Sequence, residues 1–258
     1  MARYRVTPRT VVLRDDLIAE RDPRRPSGWL LRQCDMDASY VDLADPSHLE
    51  FDYLRWIRVV LWAARARRVV HVGGGACALA RALAAEDPHG RQEVCEVDAD
   101  VLAIARQHMG LRRAPGLRVR HADGRAFIAR QPDGAWHAVV IDAFVGATVP
   151  RRLITVEALA DVARVAPLAL VNVVDNRAAR EVRAVASGLA EAYPRVWTLG
   201  GRAGNTVVVA GVAPLDLGRI SALVAGDRSP ARLTVPAAVA QLVAGTPPLH
   251  DEATDATT

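Results

Sequence analysis

The stretch Arg68-Val69-Val70-His71-Val72-Gly73-Gly74-Gly75-Ala76-Cys77-Ala78-Leu79-Ala80 decides the fold. Val69–Val72 is a short apolar run of the kind that forms a buried strand. The glycine triplet after it allows backbone angles that side chains forbid, and lets a ligand come close to the main chain where a helix starts. The competing reading is a tight turn that only packs. A glycine triplet costs extra conformational entropy on folding, which favours ligand binding over packing alone.

Working outward, further strand-like runs are Glu93–Val97, Leu117–His121, Ala138–Ile141 and Leu168–Val174, separated by helical stretches rich in Ala, Leu and Arg. Near-continuous apolar strands joined by helices predict an α/β fold with a parallel sheet covered on both faces. The end differs, because Arg195–Leu199 and Thr206–Ala210 flank Gly-Gly-Arg-Ala-Gly-Asn and read as an antiparallel hairpin. Before the alternating region, residues 1–45 carry the β-rich stretches Thr10–Leu13, Trp29–Gln33 and Ser39–Leu43, with a Pro/Arg-rich turn at Asp22–Ser27. A helix is expected after Pro46, with Ser47 and Glu50 as a capping box and Phe51, Leu54, Ile57, Arg58 and Leu61 at helical spacing. The organisation predicted is therefore a small β-rich segment at 1–45, a Rossmann-like nucleoside-binding domain at 46–246 and a loose polar tail at 247–258.

Composition removes whole classes of function. Across 258 residues, 51% are apolar and 24% charged, which excludes a disordered chain. No apolar run reaches membrane-spanning length, and MARYRVTPRTVVLRDD has no apolar core of the signal-peptide kind. Cys34, Cys77 and Cys95 lack metal or redox spacing and read as reduced thiols in a cytoplasm. The pI of 9.4 overstates the charge, which is only +4, because every basic residue is arginine. Those arginines are scattered among acids, so a solvated surface is expected rather than a nucleic-acid stripe. None of the histidines pair at metal-ligand spacing, and no metal is expected.

The candidate chemistry lies at the strand ends. Glu96 and Asp98 close the second strand, where an acid accepts hydrogen bonds from a ribose diol. Asp123-Gly124 follows the third strand, and Asp142 ends the fourth. Asp123 is placed to accept from an adenine amino group, and Asp142 to face whatever lies above the sheet centre. The competing reading for each is a turn former or helix N-cap. Gly73, Gly75 and Ala78 also fit G-x-G-x-x-A, so an NAD-dependent dehydrogenase stays open as a rival.

From Trp29 to Gly211 the chain resembles the spermidine synthase family, the polyamine aminopropyltransferase branch of the class I S-adenosylmethionine-dependent methyltransferase fold. The residues that carry the likeness are the Val72–Gly75 turn, Cys95-Glu96-Val97-Asp98, Ala122-Asp123-Gly124, IDAFVGATVP at 141–150, GNTVVVA at 204–210 and the stretch Tyr40–Tyr53. The resemblance implies a seven-stranded sheet plus the N-terminal strands, and a homodimer. It implies a nucleoside site of Gly73, Gly74, Gly75, Glu96, Val97, Asp123 and Gly124. It places Asp142 as the catalytic carboxylate, and S-adenosylmethionine or its decarboxylated form as co-substrate.

The chain departs from that pattern where the family binds amines. The loop acid that holds the donor's aminopropyl group is replaced by Ala76, and the second acid after Asp142 by Ala143, Phe144 and Val145. The family's Tyr-Gln pair matches Phe51-Asp52, and its Gln before the first helix matches Ala38. A buried ammonium without its acid costs several kcal/mol. Methyl transfer to a small-molecule acceptor, an amine among the candidates, is therefore favoured over polyamine synthesis. The aminopropyl reading, a decayed nucleoside-binding protein and the dehydrogenase remain the alternatives.

Overall fold

Four short strands precede the first helix in the computed structural model, which describes residues 10–174, 179–200 and 204–252. They are β1 (Thr10–Arg14), β2 (Leu17–Arg21), β3 (Gly28–Gln33) and β4 (Met36–Asp42), paired antiparallel in that order. The strand Leu17–Arg21 was not expected from the sequence. It forms because Leu17 and Ala19 alternate inward while Ile18 and Glu20 point outward, and both neighbours supply its hydrogen bonds. The buried face of this sheet, including Leu17, Trp29 and Leu31, is continuous with one side of the main core.

The α/β region follows: α1 (Asp52–Ala63), β5 (Arg68–Gly73), α2 (Ala78–Glu86), β6 (Arg91–Glu96), α3 (Ala99–Gln107), β7 (Leu117–His121), α4 (Gly124–Ala129), β8 (Ala138–Asp142), α5 (Val156–Val165), β9 (Leu168–Val174), α6 (Arg180–Ala192), β10 (Arg195–Gly200), β11 (Asn205–Gly211), α7 (Leu217–Ala225), β12 (Arg232–Thr234) and α8 (Pro236–Val243). The sheet order is β12-β10-β11-β9-β8-β5-β6-β7. The strands β7, β6, β5, β8 and β9 are parallel, while β11 runs antiparallel between β9 and β10. The sheet thus has eight strands among the described residues, where seven were expected, because β12 adds to the free edge of β10. The turn of the predicted hairpin, residues 201–203, lies outside the described residues. Helices α1, α2, α3 and α7 cover one face, and α4, α5, α6 and α8 the other. Among the described residues no helix is long and apolar enough to cross a membrane.

Helix α1 starts later than the expected capping box. Its N-cap is Phe51, with no side-chain cap, and the Ser47 hydroxyl is spent on Asp45 at 2.6 Å. The reason lies in the carbonyls of Leu49 and Glu50. Both accept from Arg55 Nη1, at 3.0 and 2.6 Å, and from Arg228. Side-chain donors thus satisfy groups that a longer helix would have paired internally. Arg55 is itself nearly buried and holds both oxygens of Asp227.

The tail is also less free than expected. Val156 N–H donates to the Leu249 carbonyl at 2.8 Å, and Asp251 accepts from Thr155 at 2.9 Å and from both terminal nitrogens of Arg125. Residues 253–258 of that tail lie outside the described residues.

Arg55→Ala strips Asp227 of its paired guanidinium and leaves the Leu49 and Glu50 carbonyls with Arg228 alone. The expected loss is about 3 kcal/mol of unfolding free energy, the lower end for breaking a buried pair. Urea denaturation measures it, and a loss below about 1 kcal/mol would show that water replaces the guanidinium.

Candidate active site

Parallel register brings the strand ends to one edge. Gly73 pairs with Asp142, Val72 with Cys95, and Glu96 with His121. This is the carboxyl edge of the sheet, where open α/β sheets take their ligands.

The glycine turn divides its three residues between packing and openness. Gly73, Gly74 and Gly75 have φ of +78°, +127° and +54°, and Cys77 continues at +64°. A Cβ on Gly73 would lie 2.4 Å from the Asp142 carbonyl oxygen, and one on Gly75 would lie 2.9 Å from Ser39 Cβ. Those two glycines are therefore demanded by packing. A Cβ on Gly74 would meet nothing within 4 Å, so this residue presents bare main chain to open space.

An open cleft of about 380 Å³ lies here, lined among others by Ala38, Ser39, Tyr53, Gly73, Gly74 and Asp142. Among the described residues lining it, Asp142 is the only acid. Its Oδ1 accepts from Asn172 Nδ2 at 2.9 Å and its Oδ2 from Tyr53 O–H at 3.1 Å. Desolvation raises the Asp142 pKa from its ordinary value, and the two donors offset only part of that rise. Burial, together with the charge of Asp142, pushes the Tyr53 phenol well above its ordinary value, so Tyr53 stays a donor. His71, deeper in the cleft, bonds Gln92 at 3.0 Å; burial lowers its pKa to about 4, leaving it neutral at neutral pH.

The remaining expected residues lie along the same edge. Glu96 is buried, with Oε1 accepting from Asp98 N–H at 3.0 Å and Oε2 from Gly75 N–H at 3.3 Å. Burial raises its pKa, and these backbone donors pull it back in part. The Val97 side chain is exposed, and its carbonyl accepts from His121 Nε2 at 3.0 Å. Asp98 points elsewhere: it caps α3 and takes Arg14 and Gln33 from the N-terminal sheet. Asp123 caps α4 through Ala126 N–H at 2.9 Å, and its other oxygen pairs with Arg152. Burial raises the Asp123 pKa, but Ala126 N–H and the Arg152 guanidinium more than offset it and hold the carboxyl low. Gly124 is there for packing, since a Cβ would lie 2.4 Å from Val72 Cγ1.

Sequence reasoning passed over Tyr53, Asn172, Ser39 and Arg152. The ring that reaches the carboxylate is Tyr53, just beyond the pair Phe51-Asp52 matched to the family; Phe51 stacks on it at 6.0 Å. Asn172 had a signal, being the only polar residue in the buried strand Leu168–Val174. Arg152 had none, because its role depends on which strand ends come together.

The chain is 26% identical to a probable spermidine synthase from Corynebacterium glutamicum ATCC 13032, over 95% of this chain and 96% of that one, with a TM-score of 0.84. A spermidine synthase in complex with the transition state analogue AdoDATO superposes at a TM-score of 0.60 and 15% identity, over 87% of this chain and 79% of that one. Human methyltransferase-like protein 13 in complex with SAH gives 0.52 and 18%, over 66% and 81%. No protein-family model and no curated protein matches the chain. The chain is spermidine synthase-like, on the class I methyltransferase fold, and the structures it resembles are those of transferases.

Asp142→Asn is expected to melt higher than the parent protein near neutral pH. A carboxyl whose pKa is raised by folding costs nothing when protonated in both states. Its cost grows as pH rises past the unfolded value of about 3.9 and is complete above the folded value. The gain in Tm should therefore shrink to nothing below about pH 3. Calorimetry across that range checks it, and a lower Tm at neutral pH would mean that the charged form is favoured by the fold.

Proposed function

We propose that this spermidine synthase-like chain is a transferase that binds a sulfonium nucleoside and passes an alkyl group to a small-molecule acceptor, with methyl transfer from S-adenosylmethionine favoured. The observation that carries this reading is Asp142. It is a desolvated carboxylate at the floor of the cleft, held by two neutral donors beside a glycine that offers bare main chain. A half-buried anion whose partners are neutral is stabilised by an incoming cation.

Geometry supports the nucleoside side of the reading. Glu96 is fixed by two backbone N–H groups and, as a carboxylate, keeps acceptor capacity for ribose hydroxyls. Gly74 allows close approach of the sulfonium-bearing chain. Asp123 would serve the adenine amino group, with Val97 and Gly124 flanking.

Displacement at a sulfonium carbon releases a neutral thioether, so the leaving group needs no proton. The protein must align the nucleophile and take its proton. Asp142 would accept that proton or orient the nucleophile. Its raised pKa makes it a better base than an ordinary aspartate, and the Tyr53 and Asn172 donors hold its two oxygens in place.

Charge favours methyl over aminopropyl transfer. S-adenosylmethionine brings a sulfonium, plus an ammonium and a carboxylate that cancel. The decarboxylated donor brings two positive charges, and a diamine acceptor brings more. Among the described residues one acid lines the cleft, and Ala76 is buried where the family keeps an acid. Ala143 and Phe144 pack on the core, and Val145 is exposed. The second reading, aminopropyl transfer to a polyamine, is favoured by the likeness to the Corynebacterium glutamicum protein over nearly the whole of both chains. The dehydrogenase reading is dropped, because antiparallel β11 between β9 and β10 departs from the parallel 3-2-1-4-5-6 order of dinucleotide folds. The acceptor is a small molecule, an amine among the candidates, rather than nucleic acid or membrane, and the working unit is a cytoplasmic homodimer.

Calorimetric titration with S-adenosylmethionine, its decarboxylated form and 5′-methylthioadenosine tests the donor. S-adenosylmethionine is expected to bind at least as tightly as the decarboxylated donor; tight binding of the latter alone would overturn methyl transfer. Separately, Asp142→Asn should lower turnover by about a hundredfold or more while donor affinity stays within a few-fold. Unchanged turnover would remove Asp142 from the chemistry, and no turnover in the parent with any acceptor would favour the decayed reading.

A further inference from the structure

We propose that Arg152 is a latch at the carboxyl edge of the sheet, where α4 begins: its guanidinium occupies the Asp123 carboxylate, and a 6-aminopurine reaches that carboxylate only when the arginine side chain swings away. The inference rests on the reading that Asp123 serves the adenine of the donor.

The two oxygens of Asp123 do different jobs. Oδ1 accepts from Ala126 N–H at 2.9 Å, caps α4 and thereby fixes the carboxylate plane. Oδ2 takes Arg152 Nη2, a contact that the helix does not need. Side-chain exposure is 55% for Arg152 and 28% for Asp123, so the pair is held by little more than a surface ion pair is.

The main chain beneath the latch is pinned. The Arg152 carbonyl accepts from Arg125 Nη1 at 3.0 Å, and Arg125 is held in turn by both oxygens of Asp251. Leu153 is buried, and its N–H donates to the Pro150 carbonyl at 2.9 Å. Opening is therefore a rotation of one long side chain about a fixed base, and the strand end and helix cap stay in place.

The latch also sorts purines. Once Arg152 leaves, Oδ2 is a bare acceptor, which suits a 6-amino donor and repels a 6-oxo group. While Arg152 stays, the same position presents a guanidinium, which suits a 6-oxo group. Adenine and hypoxanthine nucleosides thus select opposite states of one ion pair.

The test is calorimetric titration of the full chain and of Arg152→Gln with the neutral probes 5′-methylthioadenosine and 5′-methylthioinosine, across about 0.05 to 0.5 M NaCl. Arg152→Gln should bind methylthioadenosine about three- to fivefold more tightly at low salt, the worth of an exposed ion pair. Parent affinity should rise with salt towards that of the variant, because screening opens the pair, while the variant stays flat. Methylthioinosine should lose affinity in Arg152→Gln. Weaker or unchanged methylthioadenosine binding in the variant overturns the latch. Asp123→Asn, which keeps an N-capping oxygen, separates the two levels. If it weakens methylthioadenosine binding while Arg152→Gln fails to tighten it, the latch alone is wrong. If Asp123→Asn leaves that binding unchanged, or no form binds the nucleoside, the adenine reading falls and the latch with it.

Discussion

Gly73 lies against the main chain of Asp142 with no room for a side chain, since a Cβ there would sit 2.4 Å from the Asp142 carbonyl oxygen. The cleft depends on that closeness. It holds β5 and β8 level at their carboxyl ends, so that the turn leaving one strand and the carboxylate ending the other share a floor. It also drives the chain into a run of positive φ angles, which folds Gly75 against Ser39 of the N-terminal sheet and leaves Gly74 facing open space. A single extra carbon at Gly73 would separate these elements before any chemistry could begin.

The second organising fact is how little charge lines the cleft. Asp142 stands there with a phenol and an amide as partners, and His71 is kept neutral by burial. Elsewhere the chain pairs its acids freely with arginine: Asp98 with Arg14, Asp227 with Arg55, Asp251 with Arg125 and Asp123 with Arg152. Leaving a half-buried carboxylate to neutral donors costs folding free energy, because no cation offsets its desolvation. The same pairing habit explains the N-terminal sheet. Arg14 reaches across to Asp98, the cap of α3, so the sheet that carries Ala38 and Ser39 is locked onto the carboxyl edge of the main sheet.

Legibility followed the range of the interactions involved. Strands β5, β6, β8 and β9 were readable within a residue or two because each is largely buried on both sides. Strand β2 was not, since its two inward residues are too few to make a pattern without neighbours. The capping box at Ser47 failed for a related reason: Arg55 of α1 and Arg228 after α7 satisfy the carbonyls of Leu49 and Glu50, and a local motif carries no trace of a donor as distant as Arg228. The tail reads as polar and loose, yet Asp251 finds Arg125, and only the packing of α4 beside α5 makes that meeting possible.

By itself the sequence determined the class of fold, the glycine turn and the acids at successive strand ends, because these rest on backbone preference and on burial periodicity, which act over a few residues. Tertiary structure alone decided what each acid is free to do. Asp98 and Asp142 look alike in the chain, each near the end of a buried strand. One became a helix cap bound to arginine, and the other a desolvated carboxylate beside Tyr53 and Asn172. The difference is set by which distant side chains arrive within hydrogen-bond reach, and that depends on how the sheets and helices pack.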